Sequence, residues 1–261
     1  NTMGTKAWFS AAARPTAAAA VLWAVTAPAS AASIRVAFGD IASVESLNLL
    51  VAFERAKERG VDIQSTFFKS EDLAAQAVVG GQADIGIGTP YALIQKVKAP
   101  IRLFYQVSNL RFYPVVNTEF YKDWKDLDGQ EFAVHSRGSG TEAIMNLMAK
   151  KHGIKFSQYS YVPGAEVRAG ALLKGNVKAT IVDSGALRLL KEQGDKFKVL
   201  DMGDINATDE APYANTAFLE KNAEAVGILV EELLKTQREI NKDPKSIVAL
   251  RAKYKLLPDL P

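Results

Sequence analysis

A chain of 261 residues, 48% of them hydrophobic, is long enough to bury a substantial core, either as one large domain or as two modest lobes. Its 32 basic and 29 acidic side chains leave a formal charge of +3, and a nearly neutral body argues against nucleic acid as a partner. With no cysteine and only two histidines, the sequence excludes disulfides, a cysteine nucleophile and a lipid-modified cysteine anchor, and it supplies a transition-metal site poorly.

Residues 1–32 contain no acidic side chain. Lys6 and Arg14 make a positive start, residues 17–27 an apolar run, Pro28 a break, and Ala29-Ser30-Ala31 a set of small residues at a cleavage position. That is the layout of a secretory signal peptide. The run is too short to span a bilayer, which takes about 20 residues. A periplasmic protein is therefore expected, with fold reasoning starting at residue 33.

From there strand-like and helix-like segments alternate. Residues 34–38 read as a strand, and 44–59 as a helix with Leu47, Leu50, Val51 and Phe53 at helical spacing and Gly60 as its stop. Residues 61–68 read as a second strand. Ser70 can cap a helix through Val79, with Glu71 and Asp72 suited to its first turn. A third, buried strand covers 83–87, and Gly88-Thr89-Pro90 open a helix through Lys98, with proline in the first turn. Strands at 102–107 and 114–117 follow, with a crossing to a second lobe near 110–113.

The second half repeats the rhythm. Strands are expected at 131–135, 159–162, 178–182 and 197–200, and helices at 139–152, 165–174 and 183–192. Residues 201–213 read as a loop that returns to the first lobe. From Thr216 onward the pattern is helical, with Leu219, Val226, Leu229, Val230, Leu233 and Leu234 as an apolar stripe. Pro258-Asp259-Leu260-Pro261 reads as the middle of a connection, which leaves room for a further helix. Alternating strands and helices imply mainly parallel sheets in an α/β fold.

Several stretches carry a family likeness. Residues 74–86, Ala-Ala-Gln-Ala-Val-Val-Gly-Gly-Gln-Ala-Asp-Ile-Gly, lead into Gly88-Thr89-Pro90-Tyr91. Trp124-Lys125-Asp126-Leu127-Asp128-Gly129-Gln130 comes next, then Gly138-Ser139-Gly140-Thr141-Glu142. Residues 172–179, Leu-Leu-Lys-Gly-Asn-Val-Lys-Ala, precede Val182-Asp183. In order and spacing these resemble the solute receptors of bacterial ABC importers, in the nitrate/sulfonate/taurine group, over nearly all of 33–255. The resemblance implies a two-lobed periplasmic-binding-protein fold of type II. Each lobe is then a mainly parallel sheet flanked by helices: 33–110 with 214–261 in one, 111–213 in the other, and a ligand cleft between them. It implies a monomer that takes a small molecule and delivers it to an ABC permease in the inner membrane, with no cofactor and no catalytic residue.

Ligands of open α/β sheets bind beyond the carboxyl ends of the strands, so the loops after the strands are the candidates. In the loop 136–141, Gly138 and Gly140 permit a tight turn. Ser139 and Thr141 either cap the helix or donate to a ligand. The helix amino end favours a negative group. Arg137 either adds a charge-assisted bond to a carboxylate or sulfonate or stays solvated. Thr89 is a capper or a contact, and Tyr91 a cleft wall or a packing residue. Asp40 either binds a ligand amine or starts its turn, and Asp183 either accepts from a ligand or caps its helix. His135 reads as a buried, satisfied histidine ahead of a ligand contact, and His152 as a complement to a helix carboxyl end. The expected ligand is a small organic anion.

Other readings fail on their residues. Residues 138–141 lack the lysine and spacing of a phosphate-binding loop, and no Gly-x-Ser-x-Gly elbow appears. The alternatives kept are a pyrimidine-precursor synthase-like enzyme on the same fold, and a TRAP-type or sensor receptor. Residues 138–142 also resemble TRAP-type receptors, but the first loop lacks their glycine-rich opening.

Overall fold

The computed structural model describes residues 32–90, 93–94, 98–107, 112–205 and 210–260. The leader read at 1–32 lies outside the described residues apart from Ala32, as does Tyr91. Among the described residues no helix is long and apolar enough to cross a membrane.

The first half folds as β1 (Ala32–Phe38), α1 (Leu47–Glu58), β2 (Val61–Phe67), α2 (Glu71–Val79), β3 (Ile85–Gly88) and β4 (Ile101–Leu103). Gly60 follows α1 at φ +88°, a conformation that favours glycine over any side chain. The second half supplies β5 (Tyr113–Asn117), β6 (Glu131–Val134), α3 (Gly140–His152), β7 (Gln158–Tyr161), α4 (Ala165–Leu173), β8 (Ala179–Val182), α5 (Ser184–Lys191) and β9 (Phe197–Val199). The chain ends in β10 (Ala211–Asn215), α6 (Thr216–Lys221), α7 (Ala223–Lys242) and α8 (Ser246–Tyr254).

These strands form two five-stranded sheets, β2-β1-β3-β10-β4 and β7-β6-β8-β5-β9. In the first, β10 runs antiparallel to both neighbours, while β1 is parallel to β2 and β3. In the second, β5 is the antiparallel strand, and β6 is parallel to β7 and β8. The two sheets thus share one plan, and the fourth strand of each is the one that runs against the rest. Both of those strands carry proline second, Pro114 and Pro212, and each proline carbonyl accepts a loop amide, from Leu200 and Phe104. This is the mainly parallel, two-region α/β architecture expected from the sequence.

Each sheet is covered on both faces, and the apolar clusters divide by sheet. Around the first, Ile34, Val36, Phe38, Leu49, Phe53, Leu229 and Leu233 pack on the α1/α7 side, and Ala74, Ala77, Val78 and Tyr213 on the α2 side. Around the second, Leu127, Phe132, Met145 and Met148 pack on one face, and Ala169, Leu172, Leu187 and Leu190 on the other. The stripe expected on α7 buries Val226, Leu229 and Leu233, while Leu234 is exposed and Glu232 is buried in its stead, paired with Arg59 at 2.9 Å. His152 stacks on Trp124 with centroids 4.8 Å apart, in the last turn of α3.

Candidate functional site

The loops that follow β1, β3, β6 and β8, together with the starts of α2 and α4, meet at one crevice between the two sheets. Glu71 opens α2, and its Oε2 accepts the Thr89 amide at 3.1 Å. The carboxylate fits because two glycines make room for it. A Cβ on Gly39 would lie 2.7 Å from Oε2, and one on Gly88 only 2.0 Å away. Gly88 also takes φ +150°, which suits glycine alone.

Ser70 occupies the cap position of α2 but makes no side-chain cap bond. Instead the Glu71 amide donates to Ser136 Oγ, from the other sheet, at 3.1 Å. Beside it, His135 Nδ1 lies 2.8 Å from the same hydroxyl oxygen. Either atom can be the donor of that bond, depending on the ring tautomer, and the other ring nitrogen is Nε2. That nitrogen is 2.9 Å from Asp40 Oδ1. Among the described residues Nε2 makes no hydrogen bond, so this is a close contact only. Asp40 Oδ1 also accepts the Ile41 amide at 2.6 Å. Asp40 and Glu71 thus link the first sheet to His135 and Ser136 of the second. Ile41 and Gly164 meet as well: a Cβ on Gly164 would come within 2.7 Å of the Ile41 side chain.

The loop before α3 is largely self-satisfied. Thr141 Oγ1 accepts the His135 amide at 2.9 Å and lies 3.0 Å from Ser139 Oγ, which in turn accepts the Glu142 amide at 3.2 Å. Both hydroxyls therefore serve the turn and the cap. Asp183 caps α5 by accepting the Ala186 amide at Oδ1, 2.8 Å away. The residue is only 4% exposed. Arg168, on α4, is 2% exposed, and its Nε and Nη1 donate to the carbonyls of Ile181 and Val162 at 2.8 and 2.9 Å.

Asp40, Ser139, Gly140, Thr141 and Asp183, all singled out from the sequence, line a single cavity of about 40 Å³. Glu45, Glu71, His135, Arg168 and Glu210 line it too. Thr89 is buried just behind, packed on Gly140, and its hydroxyl has no partner among the described residues. Arg137 points elsewhere: it is exposed, with its guanidinium 5.7 Å from the centre of the Tyr161 ring. Tyr161 donates to Glu142 at 2.6 Å, and burial, that bond and the Glu142 charge raise its hydroxyl to about 12. A larger hollow of about 660 Å³ lies between α5 and β9, where none of these loops reaches.

Sequence reasoning missed Arg168, Glu71 and Glu45 as site residues. Arg168 sits in the first turns of a helix that follows a strand, the same local address as Thr89 and Thr141, and that address was the available signal. In the sequence Glu71 reads as a favourable first-turn acid, which it is, and nothing there marks its second role.

With the geometry in place, comparison with known proteins is decisive at the family level. A family model described as NMT1/THI5 like matches residues 46–247. The chain belongs to that family. It is the group of importer receptors that the sequence resembles. No curated protein sequence matches it. Among solved structures, a protein from Bordetella bronchiseptica RB50 is 24% identical, with a TM-score of 0.72, over 85% of this chain and 75% of that one. The alkanesulfonate-binding protein SsuA from Xanthomonas axonopodis pv. citri, bound to MOPS, is 18% identical at TM-score 0.67, covering 88% and 80%. The aliphatic sulphonate binding protein SsuA from Escherichia coli is 21% identical at TM-score 0.61, again over 88% and 80%. These likenesses fix the bilobed binding-protein fold.

Proposed function

We propose that this chain is the periplasmic binding component of an ABC importer, which closes two lobes around a small solute and delivers it to a permease in the inner membrane. The observation that carries this reading is the composition of the crevice wall: Asp40, Glu45 and Glu71 come from the first sheet region, His135, Thr141, Arg168 and Asp183 from the second. The lobes expected from the sequence are 33–110 with 214–261, and 111–213; because β10 (Ala211–Asn215) pairs with β3 and β4, we place the return to the first lobe at Ala211. A solute that touches both sides favours the closed form by its differential affinity.

An organic anion, a sulfonate or a carboxylate, is the ligand expected from the sequence. Arg168 and the amino end of α3 support it, and two of the similar structures are named for sulfonates. The test is a thermal-shift screen of the mature chain against small anions, amines and pyrimidines, followed by solution X-ray scattering with any compound that raises the Tm. A true ligand raises stability with concentration, by about 2.7 kcal/mol at a hundredfold excess over Kd, and reduces the radius of gyration. If a compound were turned over into product, with none bound reversibly, the receptor reading would fail.

A further inference from the structure

Helix α2 has two hydroxyls near its amino end and uses the one that is distant in sequence. Ser70 stands in the cap position: its backbone is extended, at φ -156° and ψ 131°, and its carbonyl accepts the Ala74 amide at 3.1 Å. From that conformation a serine side chain caps a helix by accepting the amide of the second or third helical residue, here Asp72 or Leu73. Ser70 makes no such bond. The Glu71 amide donates instead to Ser136 Oγ, 65 residues away in the second sheet region, at 3.1 Å. Ser136 is 4% exposed, and His135 Nδ1 holds the same hydroxyl at 2.8 Å. The first turn of α2 is docked on that loop at a second point, since a Cβ on Gly138 would lie 2.5 Å from Asp72 Oδ1. Neither serine is among the described residues that line the cavity.

Resting on the reading of this crevice as a solute site that opens and closes, we infer that Ser136 and Ser70 are alternative caps for α2 and set the balance between the two forms. With the walls together, Ser136 takes the first amide of α2 from across the seam. The loop 136–138 and the Ser70 side chain approach the same end of the helix, and with the loop in place the Ser70 bond is not made. When the walls part, the Ser136 bond is lost. Ser70, whose backbone is already in cap geometry, then turns its hydroxyl onto the amide of Asp72 or Leu73. An uncapped helix end leaves backbone donors without a protein partner, and the swap of caps spares both forms that state. Each serine thus stabilises one form, so the two act on solute binding with opposite signs: Ser136 favours the closed form and Ser70 the open one. Both are positioning residues, acting through α2 on a cavity that neither of them lines.

The experiment is amide hydrogen exchange, read residue by residue along α2 in the ligand-free mature chain, for wild type, Ser70→Ala, Ser136→Ala and the double variant, with thermal unfolding in parallel. A cap of ordinary strength corresponds to about a fivefold change in an equilibrium. Ser70→Ala should move the balance toward the closed form, so that the Glu71 amide exchanges about fivefold more slowly. Ser136→Ala should move it toward the open form, so that the amide of Asp72 or Leu73 slows by a similar factor while that of Glu71 speeds up. Slower exchange after removal of a hydroxyl is a result that loss of a merely structural bond does not give. Each single variant retains one cap and most of its Tm, whereas the double variant should lose about 2–4 °C. A Glu71 amide that exchanges no more slowly in Ser70→Ala overturns the inference. So does a Tm loss in the double variant no greater than the sum of the two single losses. These readings need no solute, so a solute screen in which nothing binds removes the receptor reading while the exchange rates still decide the swap of caps.

Discussion

Gly140 offers a way to separate closure of the crevice from folding of the chain. It begins α3 without a positive φ, and a Cβ added to it would lie 3.4 Å from Thr89 Cγ2 and Oγ1, across the boundary between the sheets. Gly140→Ala therefore fits at van der Waals contact. By relieving glycine's entropic cost in a helix it should stabilise the fold by about 0.5–1 kcal/mol. Gly140→Val adds two methyl carbons about 1.5 Å farther out, and one of them must enter the space of Thr89. Overpacking of this kind costs about 1–3 kcal/mol. The strain is relieved when the walls part, so it falls on the closed form alone. That converts to roughly a five- to 150-fold rise in apparent Kd. Calorimetric affinity for a bound compound, compared across wild type, Gly140→Ala and Gly140→Val, reads the effect. Hydrogen exchange at the Glu71 amide reads it without any ligand, because the acceptor of that amide is Ser136 Oγ on the opposite wall. Exchange should speed up in the valine variant only, with the Tm held. Should valine behave as alanine does, or should the loss appear in unfolding stability, the boundary drawn between these sheets is wrong.

Three further outcomes follow from contacts near the crevice. Gly88→Ala puts a methyl 2.0 Å from Glu71 Oε2 at a φ of +150°, which forces the carboxylate off the Thr89 amide; urea unfolding should show a loss of about 3 kcal/mol, and a loss under about 1 kcal/mol would contradict the fit. Tyr213→Phe removes a fully buried hydroxyl without a partner among the described residues, whose titration is pushed up by burial and then by the charge of Glu71. Stability should hold or rise by up to about 1 kcal/mol, and a clear drop would reveal a hidden bond. At Asp84, burial alone would raise the pKa, but hydrogen bonds and charge from Arg35 outweigh it and hold the carboxyl below its ordinary 3.8. Its contribution is full above that value and is lost as pH falls through the lower folded one. The stability gap between wild type and Arg35→Met should accordingly be modest at neutral pH and close in acid; a gap that widens in acid would reverse the sign of this argument.

The two antiparallel strands show where the sequence was legible and where it was not. Both have proline second and asparagine last. Tyr113-Pro114-Val115-Val116-Asn117 could be read as a strand because two β-branched residues follow the proline. In Ala211-Pro212-Tyr213-Ala214-Asn215 the residues up to 213 read as loop, because alanines on either side of one tyrosine give no such signal and proline argues against an inner strand. It is an inner strand nonetheless, and it is buried, since Tyr213 closes over Gly86: a Cβ there would come within 2.1 Å of the ring. At the site the same limit applies. Asp40, Thr141 and Asp183 can be read as candidates from their place after strands, and they line one cavity. Nothing in the local pattern shows that Glu71 lies between Gly39 and Gly88, because that placement depends on contacts 17 to 32 residues apart.

The division of the core gives closure its energy scale. Among the described residues, none of the four apolar clusters contains residues from both sheets. The boundary is crossed by the Glu71–Ser136 bond, the Asp40–His135 contact, the packing of Thr89 on Gly140 and the touch of Ile41 on Gly164. A hydrogen bond of this sort contributes about 0.5–1.5 kcal/mol net, so a few of them put the closed form only a few kcal/mol from the open one. An apolar seam would lock the walls together and leave a ligand nothing to decide. With a polar seam, a solute that meets both walls shifts the population by an amount of the same size as the barrier to be offset.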